Sequence, residues 1–224
     1  MSAWLNEQAS QASYSSLHEV KSSRASLRSL SYGHTTLQVG IARERWQIMS
    51  ASELIAKRYG QAGLQVWSPG ELSCVSALAV HEGQAAATLS LRQDGMEGLF
   101  ADAQYGAELR HLRASGARIG EFCRFAVDTC VPIVQVLGEL AAELVRHAGD
   151  VTDLIMETHP RHATFYCALL GFTRLGPVRT CERVGAPGQL LHRSVAVDRP
   201  GRISRRAQAL LERIARDQRM PVAA

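Results

Sequence analysis

The sequence predicts an α/β or α+β fold, with a central mixed sheet flanked by helices. Apolar runs of strand length alternate along the chain with segments of helical periodicity, and Pro or Gly marks several boundaries between them. No apolar run approaches the roughly 20 residues that a membrane helix needs. At 224 residues, with 46% hydrophobic and 21% charged residues, the chain fits one such domain, or one domain with tails.

The first 35 residues are rich in serine and predict a partly disordered arm, with a short helix near Leu17–Leu30. A first strand is predicted at Thr36–Ala42, because its apolar residues alternate. Helical spacing over Arg43–Tyr59, followed by glycines, predicts the first helix of the domain. Two apolar runs around His81-Glu82-Gly83-Gln84 then predict a hairpin, with strands at Val75–Val80 and Ala85–Leu91.

The second half of the domain continues the alternation of helices and strands. Pro160–Leu170 is predicted as a helix because Pro suits a first helical turn and Gly171 suits a helix end. The other predicted helices are Gly98–Leu112, Pro132–His147 and a terminal amphipathic helix, Arg199–Arg219. The other predicted strands are Ala117–Val127, Asp153–Met156, Phe172–Leu175 and Leu190–Val197.

Charge and cysteine usage narrow the class of protein. The net charge is +4, and arginine supplies nearly all of the positive charge; this favours anionic partners such as carboxylates, phosphates or an acidic carrier protein. No helix-turn-helix, zinc finger or RNP motif is present, so we expect no nucleic-acid partner. Five cysteines without a C-x-x-C pair predict neither a disulfide framework nor a metal site. The N-terminus lacks the pattern of a signal peptide and there is no membrane segment, so we expect a cytoplasmic protein.

The most informative stretch of the chain runs from Gly120 to Asp128. It alternates like a strand, yet it places Glu121 and Arg124 beside apolar neighbours. A carboxylate and a guanidinium near a buried surface are costly unless they pair with each other or with a ligand. Because three is odd, the two side chains lie on opposite faces of a regular strand, and a functional pair needs a bulge or twist. The alternative is an ion pair of the core.

The element order resembles the GNAT acyltransferase fold. The segment from Glu108 to Asp128 resembles the N-acyl amino acid synthase family, and Glu121-x-x-Arg124-Phe125 is also similar to acyl-homoserine lactone synthases. His159-Pro160-Arg161-His162-x-x-Phe165-Tyr166 resembles the former family. The likeness covers roughly residues 37–197. It implies an acyltransferase domain at 36–198, between the arm at 1–35 and a basic helix and tail at 199–224.

The resemblance implies that the protein transfers a fatty acyl group, of long chain, from an acyl carrier protein to the amine of an amino acid or similar acceptor. Glu121 is the candidate base for the amine, and Arg124 would hold a substrate carboxylate or orient Glu121. Tyr166 would give a proton to the departing thiolate; its alternative is a packed aromatic beside Phe165. The candidate substrate-binding residues are Phe125, Ala126 and Val127, whose strand amides would stabilise an oxyanion, together with Arg161 and His162. The alternatives are a solvated side chain for Arg161 and a capping or packed histidine for His162.

Some positions depart from the family pattern. Relatives usually carry an arginine where this chain has Ile55 in the first helix, and another where it has Ser90 in the hairpin. They often carry an acidic pair before the hairpin, where Leu64–Leu72 offers only Glu71. These departures leave the acceptor open.

The donor is predicted from a missing glycine turn. GNAT enzymes that use coenzyme A usually cradle pyrophosphate with a Gly-rich turn, whereas Asp128–Pro132 contains no glycine. We therefore expect no tightly bound cofactor and an acyl-phosphopantetheine thioester on a carrier protein as co-substrate, with acyl-CoA as the second choice. Seven arginines between Arg199 and Arg219 could dock that acidic protein; the alternative is a solvated basic face of the helix.

Three alternatives remain open at this level. The chain could be a signal synthase of the acyl-homoserine lactone type or an acetyl-CoA-dependent N-acetyltransferase. It could also be a degenerate module that binds acyl chains or a partner without catalysis.

Overall fold

The computed structural model describes residues 27–32, 35–64, 74–128 and 131–195. Nine strands and four helices lie in these ranges. The strands are β1 (Arg28–Tyr32), β2 (Thr35–Ile41), β3 (Val75–His81), β4 (Gln84–Gln93), β5 (Ile119–Val127), β6 (Asp153–Thr158), β7 (Thr173–Arg174), β8 (Arg179–Cys181) and β9 (Ala186–Ser194). The helices are α1 (Arg45–Gln61), α2 (Asp102–Ala114), α3 (Ile133–Ala148) and α4 (Pro160–Leu170).

The strands form one mixed sheet in the order β1-β2-β3-β4-β5-β6-β9-β7, and β8 pairs with β9. Neighbouring strands run antiparallel except β5 and β6, which are parallel. The crossover from β5 to β6 passes through α3, as parallel neighbours require. The predicted central mixed sheet with flanking helices is confirmed.

Several predicted boundaries hold closely. The hairpin of β3 and β4 turns at Glu82 and Gly83, both of which have positive φ. Helix α4 has the predicted bounds, and Gly171 ends it in the left-handed conformation, with φ of 72°. The amide of Gly171 donates to the Cys167 carbonyl at 3.1 Å, which satisfies one of the last carbonyls of the helix.

Two predictions for the edges of the domain are wrong. Residues 28–30 belong to strand β1, which pairs with β2, and not to a helix ending at Leu30. The short strand β8 was not predicted. The predicted helix Arg199–Arg219, and the part of the arm before residue 27, lie outside the described residues. No helix in the described part of the chain is long and apolar enough to cross a membrane.

The two faces of the sheet differ in chemistry. Helices α3 and α4 cover one face with an apolar cluster that includes Leu89, Leu91 and Phe122 from the strands and Leu137 from α3. Because side chains alternate along a strand, the residues between these point to the other face. There α1 and α2 pack on two smaller apolar clusters, and the same face also buries or half-buries the polar residues Ser76, Ser90, Arg92, Glu121 and Cys123.

Candidate active site

Strands β5 and β6 pair over only part of their length. Their parallel register runs from Ile119 opposite Asp153 to Phe122 opposite Met156. Beyond Phe122, β5 continues to Val127 beside β4, while β6 continues to Thr158 beside β9. The two strands therefore part in the middle of the sheet, and the β5 backbone beyond Phe122 has no β6 neighbour.

A β-bulge in β5 lies at the point of divergence. Ser90 of β4 is opposite Cys123, but Thr88 is opposite Ala126, so β5 has one residue in excess of its partner. Arg124 absorbs the irregularity with φ of 53°, a left-handed conformation that costs a residue with a Cβ about 1 kcal/mol. In a regular strand the side chain of Arg124 would lie on the face opposite Glu121. The extra residue shifts the alternation of side chains by one position, so Arg124 lies on the same face as Glu121 and Phe125 lies in the apolar cluster on the other face.

A cavity of about 50 Å³ lies over the bulge, on the face covered by α1 and α2. Its volume is that of roughly one or two water molecules, so it suits a small polar group and not a whole acyl chain. Its lining includes Ile55 and Tyr59 from α1, Phe100 before α2, Glu121, Phe122, Cys123 and Arg124 from β5, Glu157 from β6, and Cys181, Arg183, Val184 and Gly188 around the β8–β9 turn.

Glu121 is held by the backbone at the start of α2. Its Oε2 accepts the amide of Phe100 at 2.5 Å and its Oε1 accepts the amide of Ala101 at 3.1 Å. The side chain is 1% exposed, and burial raises the pKa of Glu121 to about 8, although Arg183 and the two amides oppose the rise. A carboxylate with a pKa near neutrality can accept a proton in catalysis.

The connection that carries these two amides is itself fixed by arginines. Arg113 of α2 bonds both oxygens of Asp94, at 2.6 and 2.9 Å, and both oxygens of Asp102, at 2.7 and 2.8 Å. Asp102 also accepts the amide of Leu99 at 2.7 Å. Arg92, which is 2% exposed, donates through Nε to the Gly98 carbonyl at 2.5 Å. Glu121 is thus bound to a rigid turn.

Arg124 does not pair with Glu121; among the described residues no ion pair joins them, so the core ion pair is not formed. Its guanidinium lies over the Phe100 ring, 5.7 Å from the centroid, and Arg183 lies 4.3 Å from the same centroid. Arg124 Nη2 is buried without a hydrogen-bond partner in the described structure. A buried guanidinium with an unused donor favours an anionic ligand.

Comparison with known proteins identifies the family. Residues 50–194, more than half of the chain, match the family described as N-acyl amino acid synthase FeeM. The chain belongs to the N-acyl amino acid synthase family. It is therefore an acyltransferase that acylates an amine.

Solved structures agree with this fold. The structure of FeeM, an N-acyl amino acid synthase from uncultured soil microbes, matches with a TM-score of 0.66 at 22% identity, over 73% of this chain and 93% of that chain. Escherichia coli ElaA matches with a TM-score of 0.50 at 13% identity, over 71% of this chain and 99% of that chain. No curated protein sequence matches the chain.

In this N-acyl amino acid synthase fold, Tyr166 lies on α4 and is fully buried. It belongs to the apolar cluster, and its ring packs edge-on against Phe165 at 5.3 Å. Its hydroxyl has no hydrogen-bond partner among the described residues. Burial raises the pKa of Tyr166, and the nearby Tyr59 of the cavity raises it further. The buried, unpaired hydroxyl remains a candidate proton donor.

The other predicted substrate-binding residues do not line the cavity in the part of the chain described. Phe125 and Ala126 are buried, and Val127 packs against the apolar cluster, so these three offer backbone and not side chains to a substrate. Arg161 is exposed on α4, and its Nε donates to Nε2 of the buried His162 at 3.0 Å.

One of the thiols that line the cavity, Cys123, contacts a second cysteine outside it. Cys74 Sγ lies 3.9 Å from Cys123 Sγ, and this contact lowers the pKa of Cys74. No group of three metal-binding side chains occurs within the described ranges.

Sequence reasoning missed the residues that β6 and the β8–β9 turn contribute. Glu157 is an acid at the end of an otherwise apolar strand, and that contrast was a usable signal. Arg183 lies in a four-residue turn, Glu182 to Gly185, whose place over the cavity depends on the pairing of β8 with β9. Nothing local in the sequence points to it.

Proposed function

We propose that this N-acyl amino acid synthase moves a long-chain fatty acyl group from the thioester of an acyl carrier protein to the α-amine of an amino acid. The bulge in β5 carries the proposal, because it directs Glu121 and Arg124 into one cavity where β5 and β6 part. Glu121 as the base and Arg124 as the cation for the acceptor's carboxylate thereby lie next to the part of β5 that has no β6 neighbour.

The roles follow from these positions. Arg124 receives the acceptor carboxylate, and Glu121 takes the proton of the amine, directly or through a water. Amides of β5 between Phe125 and Val127 that face the parted β6 stabilise the oxyanion of the tetrahedral intermediate. Tyr166 protonates the departing thiolate. Each of these roles costs the enzyme little reorganisation, because β5 and α4 are fixed elements of the fold.

The size of the cavity supports separate places for the acceptor's head group and for the acyl chain. A space of about 50 Å³ holds the head group of the acceptor, so the acyl chain lies elsewhere, along the opening between β5 and β6. Residues Arg161 and His162 at the first turn of α4 are proposed to contact the donor there.

The entry to α3 supports a carrier protein as donor. Where β5 ends, Asp128 pairs with Lys57 at 3.3 Å, and α3 begins at Ile133 with no glycine in between. An acidic side chain at this place disfavours a pyrophosphate group. The seven arginines of the segment 199–224, which we propose to be a basic helix outside the domain 36–198, would contact the acidic carrier.

The test is mass spectrometry of products after purified protein is mixed with acyl-loaded carrier protein and the twenty common amino acids, with acyl-CoA in parallel. A new N-acyl amino acid formed from the carrier thioester is the expected result, and it names the acceptor. Product from acyl-CoA alone would contradict the proposed donor. Thioesters left intact in both reactions, with folded protein, would contradict the proposed function.

A further inference from the structure

The wall of the cavity opposite β5 has charged groups to which the mechanism above gives no role. Glu157 comes from β6 and Arg183 from the β8–β9 turn, and both line the cavity. Arg183 Nη2 lies 3.3 Å from Glu157 Oε2, and the Glu157 side chain is only 5% exposed. A charged side chain this buried, with one long ion pair, needs further partners to be stable.

Three buried polar atoms around the cavity have no hydrogen-bond partner within the described structure. Two are donors, Nη2 of Arg124 and Nε of Arg183, and one is an acceptor, Oε1 of Glu157. Both guanidiniums lie over the same Phe100 ring, at 5.7 and 4.3 Å from its centroid, and both arginines line the cavity. Unused hydrogen-bonding atoms in a buried site favour a ligand with complementary polar groups.

The fold makes room for the carboxylate of Glu157. A Cβ on Gly188 would lie 2.2 Å from Glu157 Oε1, so only glycine at this position of β9 lets the carboxylate lie where it does. The thiol of Cys181 lies near the same carboxylate. The pKa of that thiol is raised mainly by burial and secondly by the nearby charge of Glu157. A neutral thiol is a weak donor and leaves the negative charge of Glu157 unopposed at Oε1.

We propose that Glu157 binds the α-ammonium group of the acceptor, and that Arg183 Nε joins Arg124 Nη2 at the acceptor's carboxylate. This inference rests on the proposed function and specifies how its acceptor is held. The two free donors match the two oxygens of a carboxylate, and the free acceptor matches an ammonium. The complementary ligand is a zwitterionic α-amino acid, in which the two charged groups share one carbon.

The arrangement separates binding from proton transfer. Both oxygens of Glu121 already accept hydrogen bonds from backbone amides, whereas Oε1 of Glu157 accepts no hydrogen bond from the described residues. Glu157 therefore selects the charged acceptor, and Glu121 takes the proton once the acceptor is in place. An amine without a carboxylate leaves two buried donors unpaired, and a carboxylic acid without an amine leaves Glu157 unpaired, so both are rejected.

The experiment compares Glu157→Gln with Glu108→Gln as a matched control. Glu108 also pairs with an arginine, Arg179, at 2.7 and 3.0 Å, but it lies on α2 and does not line the cavity. Binding of each of the twenty common amino acids to the wild type and both variants is measured by calorimetry without donor. Acceptor KM and kcat are then measured with the donor that the product assay identifies.

Glu157→Gln is expected to weaken amino-acid binding and raise the acceptor KM about 10- to 100-fold, the effect of losing a charged hydrogen-bond partner, with a smaller change in kcat. Glu108→Gln is expected to leave both within about twofold. Equal acceptor affinity in wild type and Glu157→Gln would overturn the inference. If the wild type makes product, that result leaves the proposed function intact; a wild type that makes none overturns the proposed function instead.

A second variant, Gly188→Ala, tests the same contact while Glu157 keeps its charge. The new methyl group displaces a flexible carboxylate and not backbone, so the protein is expected to fold with a melting temperature near that of the wild type. The acceptor KM should rise at least about tenfold, as one displaced charged hydrogen bond predicts. An unchanged KM in folded Gly188→Ala protein would contradict the role of Glu157.

Discussion

The two faces of the sheet perform different tasks. The face under α3 and α4 is an apolar cluster in which Leu137 and Leu140 of α3 are fully buried. The face under α1 and α2 has two smaller apolar clusters, but it also buries the ionisable side chains Arg92, Glu121 and Glu157. Two of their atoms, Nη1 of Arg92 and Oε1 of Glu157, have no partner in the described structure. The first face contributes mainly apolar burial, whereas the second also holds costly polar groups in place.

The difference shows how a small acyltransferase keeps a charged cavity inside its core. Burial of unpaired polar atoms is unfavourable by about 1–3 kcal/mol for each group, so a stable apolar layer must offset it. The backbone of β5 belongs to both faces, with Phe122 turned to the cluster and Glu121 turned to the cavity. Substitutions on the two sides should therefore affect different measurements.

The largest effect on stability is expected from the apolar face. Leu137→Ala removes a fully buried side chain of α3 and leaves a cavity, which should lower the free energy of unfolding by about 2–5 kcal/mol. Urea denaturation measures the loss, and kcat/KM of the protein that remains folded should stay within about twofold. A large fall in kcat/KM at unchanged stability would break the division between the faces.

The largest effect on activity is expected from the bulge. Arg124→Gly removes the guanidinium from the cavity and should lower kcat/KM roughly 10³-fold, as loss of one partner in a buried charge pair does. Because φ at this position is 53°, glycine also relieves strain, and the melting temperature should stay equal or rise. Arg124→Asn also tolerates this conformation and also removes the guanidinium, so it should lose activity to a similar extent. Activity near wild type in either variant would remove Arg124 from the site.

Tyr166 belongs to the apolar cluster, but its hydroxyl has no partner among the described residues, and its pKa is raised by burial and in part by Tyr59, which lines the cavity. Tyr166→Phe should lower kcat about 10²-fold if the hydroxyl protonates the thiolate. The same change removes a desolvated polar atom, so stability should be unchanged or slightly higher. Full activity with a carrier thioester would assign Tyr166 to packing alone.

The pH dependence is the smallest effect and tests Glu121. A pKa of about 8 means that the Glu121 carboxyl is protonated below pH 8, so kcat/KM should fall about tenfold per pH unit as the pH drops below 8. The acceptor amine adds no second decline, because the acceptor binds as its ammonium form. The acid limb, with a logarithmic slope of one, should disappear in Glu121→Gln. A raised pKa in the folded state also means that stability falls as pH rises from about 4 to about 8. The same acid limb in the variant would exclude Glu121 as the base.

The sequence predicted most of the fold, because its signals are local. Alternation located β3, β4 and β5, and a proline and a glycine bounded α4 within a residue. Strand β1 was missed because a serine-rich segment has little apolar signal, and its pairing with β2 is a tertiary contact. The three-residue strand β8 was missed because it is fixed by its neighbour β9 and not by its own residues.

The candidate site was less predictable. Glu121 and Arg124 were visible as charges in an apolar strand, but their convergence depends on a bulge that glycine usually signals and that arginine here does not. Ile55, where the resemblance implies an arginine in the family, lines the cavity, and Arg183 brings a guanidinium to the same cavity from a distant turn. Neither segment of the sequence indicates that the two positions meet.

The bulge also bears on how such a site arises and disappears. Arg124 is the one residue by which β5 exceeds its partner strand, and the side chains before and after it already alternate correctly between the faces. In genetic terms, an in-frame loss of this single codon would leave a regular strand, an intact apolar layer and no guanidinium from β5 in the cavity. Conversely, insertion of one arginine codon at this position, in an ancestor with a regular β5 and no activity, would create the bulge and place a guanidinium in the cavity.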